Sequence, residues 1–186
     1  EGGLPLAFQS LRSPIADDWV SLSRAPGKLS IRGRQPITSL IGQSLLARRW
    51  TSLDFTVETE INFKPAHYLQ MAGLTLFYDT QDFQYAYITH DEELGRVVRL
   101  MRWSREKRLE RFADEQQDLP ETGAVRFKVE VQSGKAQFYF STVEADWQEL
   151  GPPLSIAHLS DEGTDGNKNG FTGAFVGVSV HDRLYE

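Results

Sequence analysis

The stretch "DGNKNG", Asp165 to Gly170, carries side-chain oxygens at its first, third and fifth positions and a glycine at its sixth. That spacing opens a calcium-binding loop, in which alternate residues wrap the ion and the glycine makes the sharp turn. A bidentate glutamate is needed at the twelfth position, and Val176 stands there instead. One aspartate and two amides supply little charge for a divalent cation, and a polar, glycine-rich run is also what a plain loop looks like. The expectation is therefore no cofactor, with calcium at this loop as the one metal candidate.

Nucleophilic chemistry finds less support. There is no cysteine and no G-x-S-x-G turn, and the four histidines (His67, His90, His158 and His181) fall in four different segments. Paired carboxylates would suit glycoside hydrolysis, but Glu58, Glu60 and most other acids lie on the polar face of alternating segments or in loops such as "THDEE". No catalytic residue is assigned. Aromatic residues offer a different chemistry, the stacking of sugar rings. Trp50, Tyr85, Tyr87 and Trp103, with Tyr78 nearby, lie on neighbouring strand candidates, and Phe83, Tyr85 and Tyr87 share one face of "FQYAYITH". They form a candidate carbohydrate platform, for which Gln84, Arg99 and Arg102 would supply hydrogen bonds. The same spacing also serves a buried face.

The elements that must position these groups read as strands. In "LDFTVETEINF", Phe55, Val57, Thr59, Ile61 and Phe63 alternate with Asp54, Thr56, Glu58, Glu60 and Asn62. "AVRFKVEVQ" and "KAQFYFST" repeat the pattern around an "SGK" turn and predict a hairpin. "WVSLS", "KLSIRG", "SLLARRW", "AGLTLFY", "FQYAYITH", "RVVRLMRW" and "GAFVGVSV" are further strands, separated by Gly, Pro, Asp or Asn. Only "DEELGRVVRLMRWSREKRLERFADEQ" could be read as helix, and its β-branched start and Gly95 favour strand. About eleven short strands make an all-β chain, a two-sheet antiparallel β-sandwich of jelly-roll type. There is no internal repeat and no low-complexity linker, so residues 1–186 read as one domain.

Composition narrows the function. Hydrophobic residues make up 40% and charged residues 25%, as in ordinary globular domains. The formal charge of −6, from 20 basic and 26 acidic residues, argues against nucleic acid as a partner. The basic run "RWSREKRLER" is diluted by its own glutamates. Without cysteine there is no disulfide framework. No apolar run approaches the ~20 residues that span a bilayer, so no membrane partner is expected. With no signal peptide at the start, the expected location is cytoplasmic, although "EGGLPLAF" looks like the middle of something longer. A homo-oligomer is left open.

Taken together, "LRSP…WVSLSRAPGKLSIRG…SLLARRW", "QMAGLTLFYDTQDFQYAYI" and "GFTGAFVG" resemble the C-terminal β-sandwich domain of family 43 glycoside hydrolases, a group of β-xylosidases and α-L-arabinofuranosidases. The resemblance runs from about Phe8 to Asp182. It implies a concanavalin-A-like jelly roll that follows a five-bladed propeller of the same polypeptide, where the catalytic carboxylates reside. The sandwich would pack on that propeller, close one side of its pocket and meet the oligosaccharide substrate only indirectly. Phe171 matches an aromatic that reaches the pocket rim in related enzymes. A polar loop, Ser160 to Gly170, would present it, and "GAFVGVSV" would return as a buried central strand with Gly173 and Gly177 allowing close approach. The chain departs from the family pattern in its polar insert "EGTDGNKN" and in stopping at "HDRLYE", where one more aromatic strand is usual. The competing function is a free-standing carbohydrate-binding module or lectin. A third, an independent hydrolase, would need a carboxylate pair in a cleft.

Overall fold

A computed structural model describes residues 3–112, 117–142, 145–164 and 173–183. Strands dominate: β1 (Phe8–Gln9), β2 (Val20–Ala25), β3 (Lys28–Ile31), β4 (Ser44–Arg49), β5 (Phe55–Asn62), β6 (Gln70–Asp79), β7 (Asp82–Asp91) and β8 (Gly95–Ser104). After them come β9 (Arg108–Arg111), β10 (Gln117–Asp118), β11 (Ala124–Gln132), β12 (Lys135–Thr142), β13 (Gln148–Glu149), β14 (Leu154–Ser155) and β15 (Phe175–Asp182). Two single 3-10 turns, Ala157–Leu159 and Glu162–Thr164, precede the last strand.

The strands form two antiparallel sheets. The larger runs β1-β4-β15-β6-β7-β8-β10 with β9 beside β8, the smaller β13-β12-β11-β5 with β14 beside β12, and β2 and β3 make a separate hairpin. This is the all-β sandwich that the alternation predicts. The ambiguous charged segment is strand, as β8 and β9.

Alternation explains the core. On β11, Val125, Phe127, Val129 and Val131 are buried while Arg126, Lys128 and Glu130 face outward, and β12 continues the layer with Ala136, Phe138 and Phe140. Opposite them lie Leu74, Leu76, Ala86, Ile88, Val98 and Leu100 of the larger sheet. Each large side chain sealed here contributes about 1.5–3 kcal/mol of burial. The β11–β12 hairpin closes through Ser133 (φ 50) and Gly134 (φ 76), the doubly left-handed turn that suits the twist of its strands.

The larger sheet is apolar on its other face too, where Ile37, Leu45, Phe77, Phe83, Tyr85 and Tyr87 form a second cluster with Leu11 and Trp103 packed on it. Residues of the N-terminal segment, Leu11 and Ile37, supply the cover. Arg96 fastens the far edge. It is 5% exposed, and its guanidinium donates to the carbonyls of Phe63 (3.0 Å), Pro120 (2.9 Å) and Gly123 (2.9 Å). Three charge-assisted bonds to backbone offset the desolvation that lowers its pKa.

Candidate functional site

One rim of the sandwich carries an apolar cleft of about 440 Å³. β4 delivers Arg49 and Trp50 to it, the turn after β4 adds Leu53, the segment after β14 adds Ile156, Ala157 and Leu159, and Gly173 and Ala174 enter from the start of β15. Trp50 is fixed by its backbone N–H, which donates to the Ala174 carbonyl at 3.0 Å, and by edge contact with Phe55, ring centroids 5.0 Å apart. Leu53 is 85% exposed. Asp161 and Glu162 line the acidic side of the opening, and Asp161 accepts a hydrogen bond from the Tyr78 hydroxyl.

Arg49 and Gly173 meet at the mouth. The guanidinium lies 4.9 Å from the centre of the Phe175 ring, and a Cβ on Gly173 would stand 2.5 Å from its Nη1. Gly173 also has φ +67, a conformation that other residues adopt only with strain. Four residues on, in the body of β15, a Cβ on Gly177 would fall on the Leu46 carbonyl and the Ala47 backbone. The strand is thus hemmed between β4 and β6, as expected from its glycines. Phe171 and the whole of Asp165–Gly170 lie outside the described residues. Among the described residues, no group of three or more His, Asp or Glu is placed to hold a metal.

A second cavity, about 270 Å³, is polar and lined by Asp82, Arg102, Ser104, Arg105, Ser155 and His158 among others. Its charges answer one another. Asp82 accepts from the Arg105 backbone N–H (3.2 Å) and is ion-paired with the Arg105 side chain, whose Nε lies 3.1 Å away, and Arg102 Nε donates to Glu110 (2.7 Å). Burial, helped by the Arg102 charge, lowers the His158 pKa to about 4, so the imidazole is neutral at pH 7. These charge pairs organise the sandwich end, while the buried Nε2 of His158 finds no hydrogen-bond partner among the described residues.

The predicted carbohydrate platform does not assemble. Tyr85 is fully buried and Tyr87 3% exposed; their rings stack at 5.0 Å in the covered second cluster. The Tyr85 hydroxyl donates to the Ser179 carbonyl at 2.7 Å, and burial raises both phenol pKa values. Trp103 is half-buried on the same face, stacked on Phe83 at 6.4 Å, while Trp50 belongs to the rim cleft. Tyr78 is buried between the sheets. The hydrogen-bonding trio is divided as well. Gln84 and Arg102 sit opposite each other on the inter-sheet face, whereas Arg99 pairs with Asp91 beside Tyr87. The physical reason is coverage: Leu11 and Ile37 lie over a face that the strands alone would leave open. Sequence reading missed Arg49, Leu53, Ile156 and Leu159; the only local signal was Leu53, an isolated leucine between polar residues in "TSLD".

Comparison with known proteins gives this arrangement a context. Residues 1–184 match the family model described as the beta xylosidase C-terminal concanavalin A-like domain. Over 179 residues the chain is 34% identical to a beta-xylosidase of Bacillus subtilis strain 168, covering 96% of this chain and 33% of that protein. It is also 34% identical to xylosidase/arabinosidase 43B of Humicola insolens, covering 98% of this chain and 34% of the relative. The crystal structure of xylan beta-1,4-xylosidase from Bacillus halodurans C-125 superposes with a TM-score of 0.92 at 34% identity, over 97% of this chain and 34% of that one. The chain thus spans about a third of the length of the relatives that it matches.

Proposed function

The chain belongs to the family of β-xylosidase C-terminal concanavalin A-like domains, and from that premise we propose that it is the non-catalytic sandwich of a glycosidase acting on xylan- or arabinan-derived oligosaccharides. It packs on a catalytic propeller of the same polypeptide and helps to shape the active-site pocket. The observation that carries this reading is proportion: relatives named as xylosidases hold about two thirds of their length outside the part this chain matches. The acids within the chain support it. Asp82 and Asp91 are bound to arginines, Glu110 to Arg102, Glu130 to Lys128 and Asp161 to a tyrosine hydroxyl. Groups so engaged act as structural partners rather than as a free acid and nucleophile.

Phe171 is the residue proposed to reach the pocket rim, two positions before Gly173 at the cleft mouth. Phe171→Ala in the full-length enzyme is expected to raise KM or lower kcat on an aryl pentoside by about tenfold or more, the scale set by losing one well-placed contact, with little change in melting temperature. Unchanged kinetics would remove Phe171 from the pocket. The lectin alternative loses its physical basis with the burial of Tyr85 and Tyr87.

A further inference from the structure

We infer that the polar cavity at the end of the sandwich is a binding site for a small neutral polyol, a polyhydroxylated molecule of monosaccharide size. Elimination sets the charge of the ligand. Arg105 is held by Asp79 and Asp82, and Arg102 by Glu110. Both signs are spent in these pairs, and an ionic ligand would have to break one of them to gain a partner. An anion would also meet Asp82 and Glu106 on the wall, and a cation would meet Arg102 and Lys107. Among the described lining residues only Ala157 carries a purely apolar side chain, so a hydrocarbon ligand finds little to pack on.

What the wall leaves unspent suits hydroxyl groups. Ser104 Oγ accepts the Lys107 backbone N–H at 3.1 Å and Ser155 Oγ the Ala157 N–H at 3.3 Å, so each hydroxyl keeps its own proton to donate. On the same wall stands His158, whose buried Nε2 has no partner among the described residues. Burial keeps its ring neutral at pH 7, so Nε2 can share a hydrogen bond with a hydroxyl without bringing a charge. Behind the wall, the fully buried Gln84 donates from Nε2 to the Ser155 carbonyl at 2.8 Å and leaves its Oε1 without a donor. Buried polar atoms left without partners cost stability, and a polyol, whose hydroxyls both donate and accept, matches this mixture. At about 270 Å³ the space lies just under the usual range of ligand clefts, as a small molecule requires.

The test is a proton NMR titration of this chain at pH 7 with D-xylose, a neutral ring bearing four hydroxyls, reading the imidazole Cε1–H signals. His158→Gln assigns the His158 signal among the four histidines. D-xylose is expected to move that signal saturably, half-way in the millimolar range that suits so small a ligand, while sodium phosphate leaves it in place. Ser155 is exposed, so Ser155→Ala keeps the fold, checked by its amide spectrum, and is expected to weaken the response at least threefold. Ser104→Ala serves as the second variant. A shift that grows linearly with sugar and never saturates would overturn the inference. So would saturation by phosphate, a response confined to His67, His90 or His181, or an equal response in both serine variants. The titration contains no catalytic domain, so its failure leaves the accessory role proposed above untouched.

Discussion

The inter-sheet core and the rim cleft are both apolar, and they differ in what closes them. Phe127 and Leu74 are sealed by residues of the chain itself, through β11 facing β6. Leu53, over a floor of Trp50, Ile156 and Leu159, is left 85% exposed. Burial stabilises in proportion to the area removed from water, so the core contributes to folding whatever the surroundings, and the rim contributes only when something covers it. The separation is not complete, because Trp50, Ile156, Leu159 and Ala174 line the cleft and also lie in or against the core.

That separation can be broken by substitutions chosen on either side. The largest effect belongs to the core: Phe127→Ala is expected to lose about 3–5 kcal/mol, combining lost transfer energy with a cavity, read as a fall in the urea midpoint at unchanged slope. A shift under 1 kcal/mol would mean that the two sheets are not packed as described. Next is Arg96→Met, which removes a buried guanidinium and its bonds to three carbonyls and is expected to cost about 1–3 kcal/mol. A neutral result would show that water replaces the guanidinium.

Protonation attacks the core from another direction. His158 and His181 both have pKa values lowered to about 4, chiefly by burial. In the unfolded chain they return to about 6.5. Between those values the unfolded chain binds protons that the folded chain refuses. Their contribution is complete above pH 6.5, is lost as pH falls toward 4, and amounts to about 1–3 kcal/mol per histidine. His181→Gln should flatten the stability profile in that window; an unaltered slope would relieve His181 of the role. The smallest stability effect is expected at the rim, where Leu53→Asp should stay within about 0.5 kcal/mol, as exposed substitutions do, and yet lower the activity of the full-length enzyme.

The same division governs what the sequence disclosed. Alternation along β11 and β12, with the Ser133–Gly134 turn, marks both strands and their inward faces, because that information is local. Gly173 and Gly177 likewise announce the close approaches of β15 before any coordinate does. Tyr85 and Tyr87 mislead because their alternation fixes a shared face but not its fate; residues far back in the chain, Leu11 and Ile37, decide that the face is covered. The cleft is harder still. Its walls come from residues 49–53, 134, 156–162 and 173–174, four segments with no common pattern, brought together only when the sheets close. Family likeness was readable in "SLLARRW" and "FTGAFVG", and the family model match over residues 1–184 bears it out.

The most direct test of the account is hydrolysis of aryl β-xyloside and aryl α-arabinofuranoside by this chain alone, and again after mixing with a separately expressed propeller domain. No turnover from the chain, with turnover by the mixture above that of the propeller alone, is the predicted result. Turnover by the chain on its own would contradict it and place a working carboxylate pair inside the sandwich.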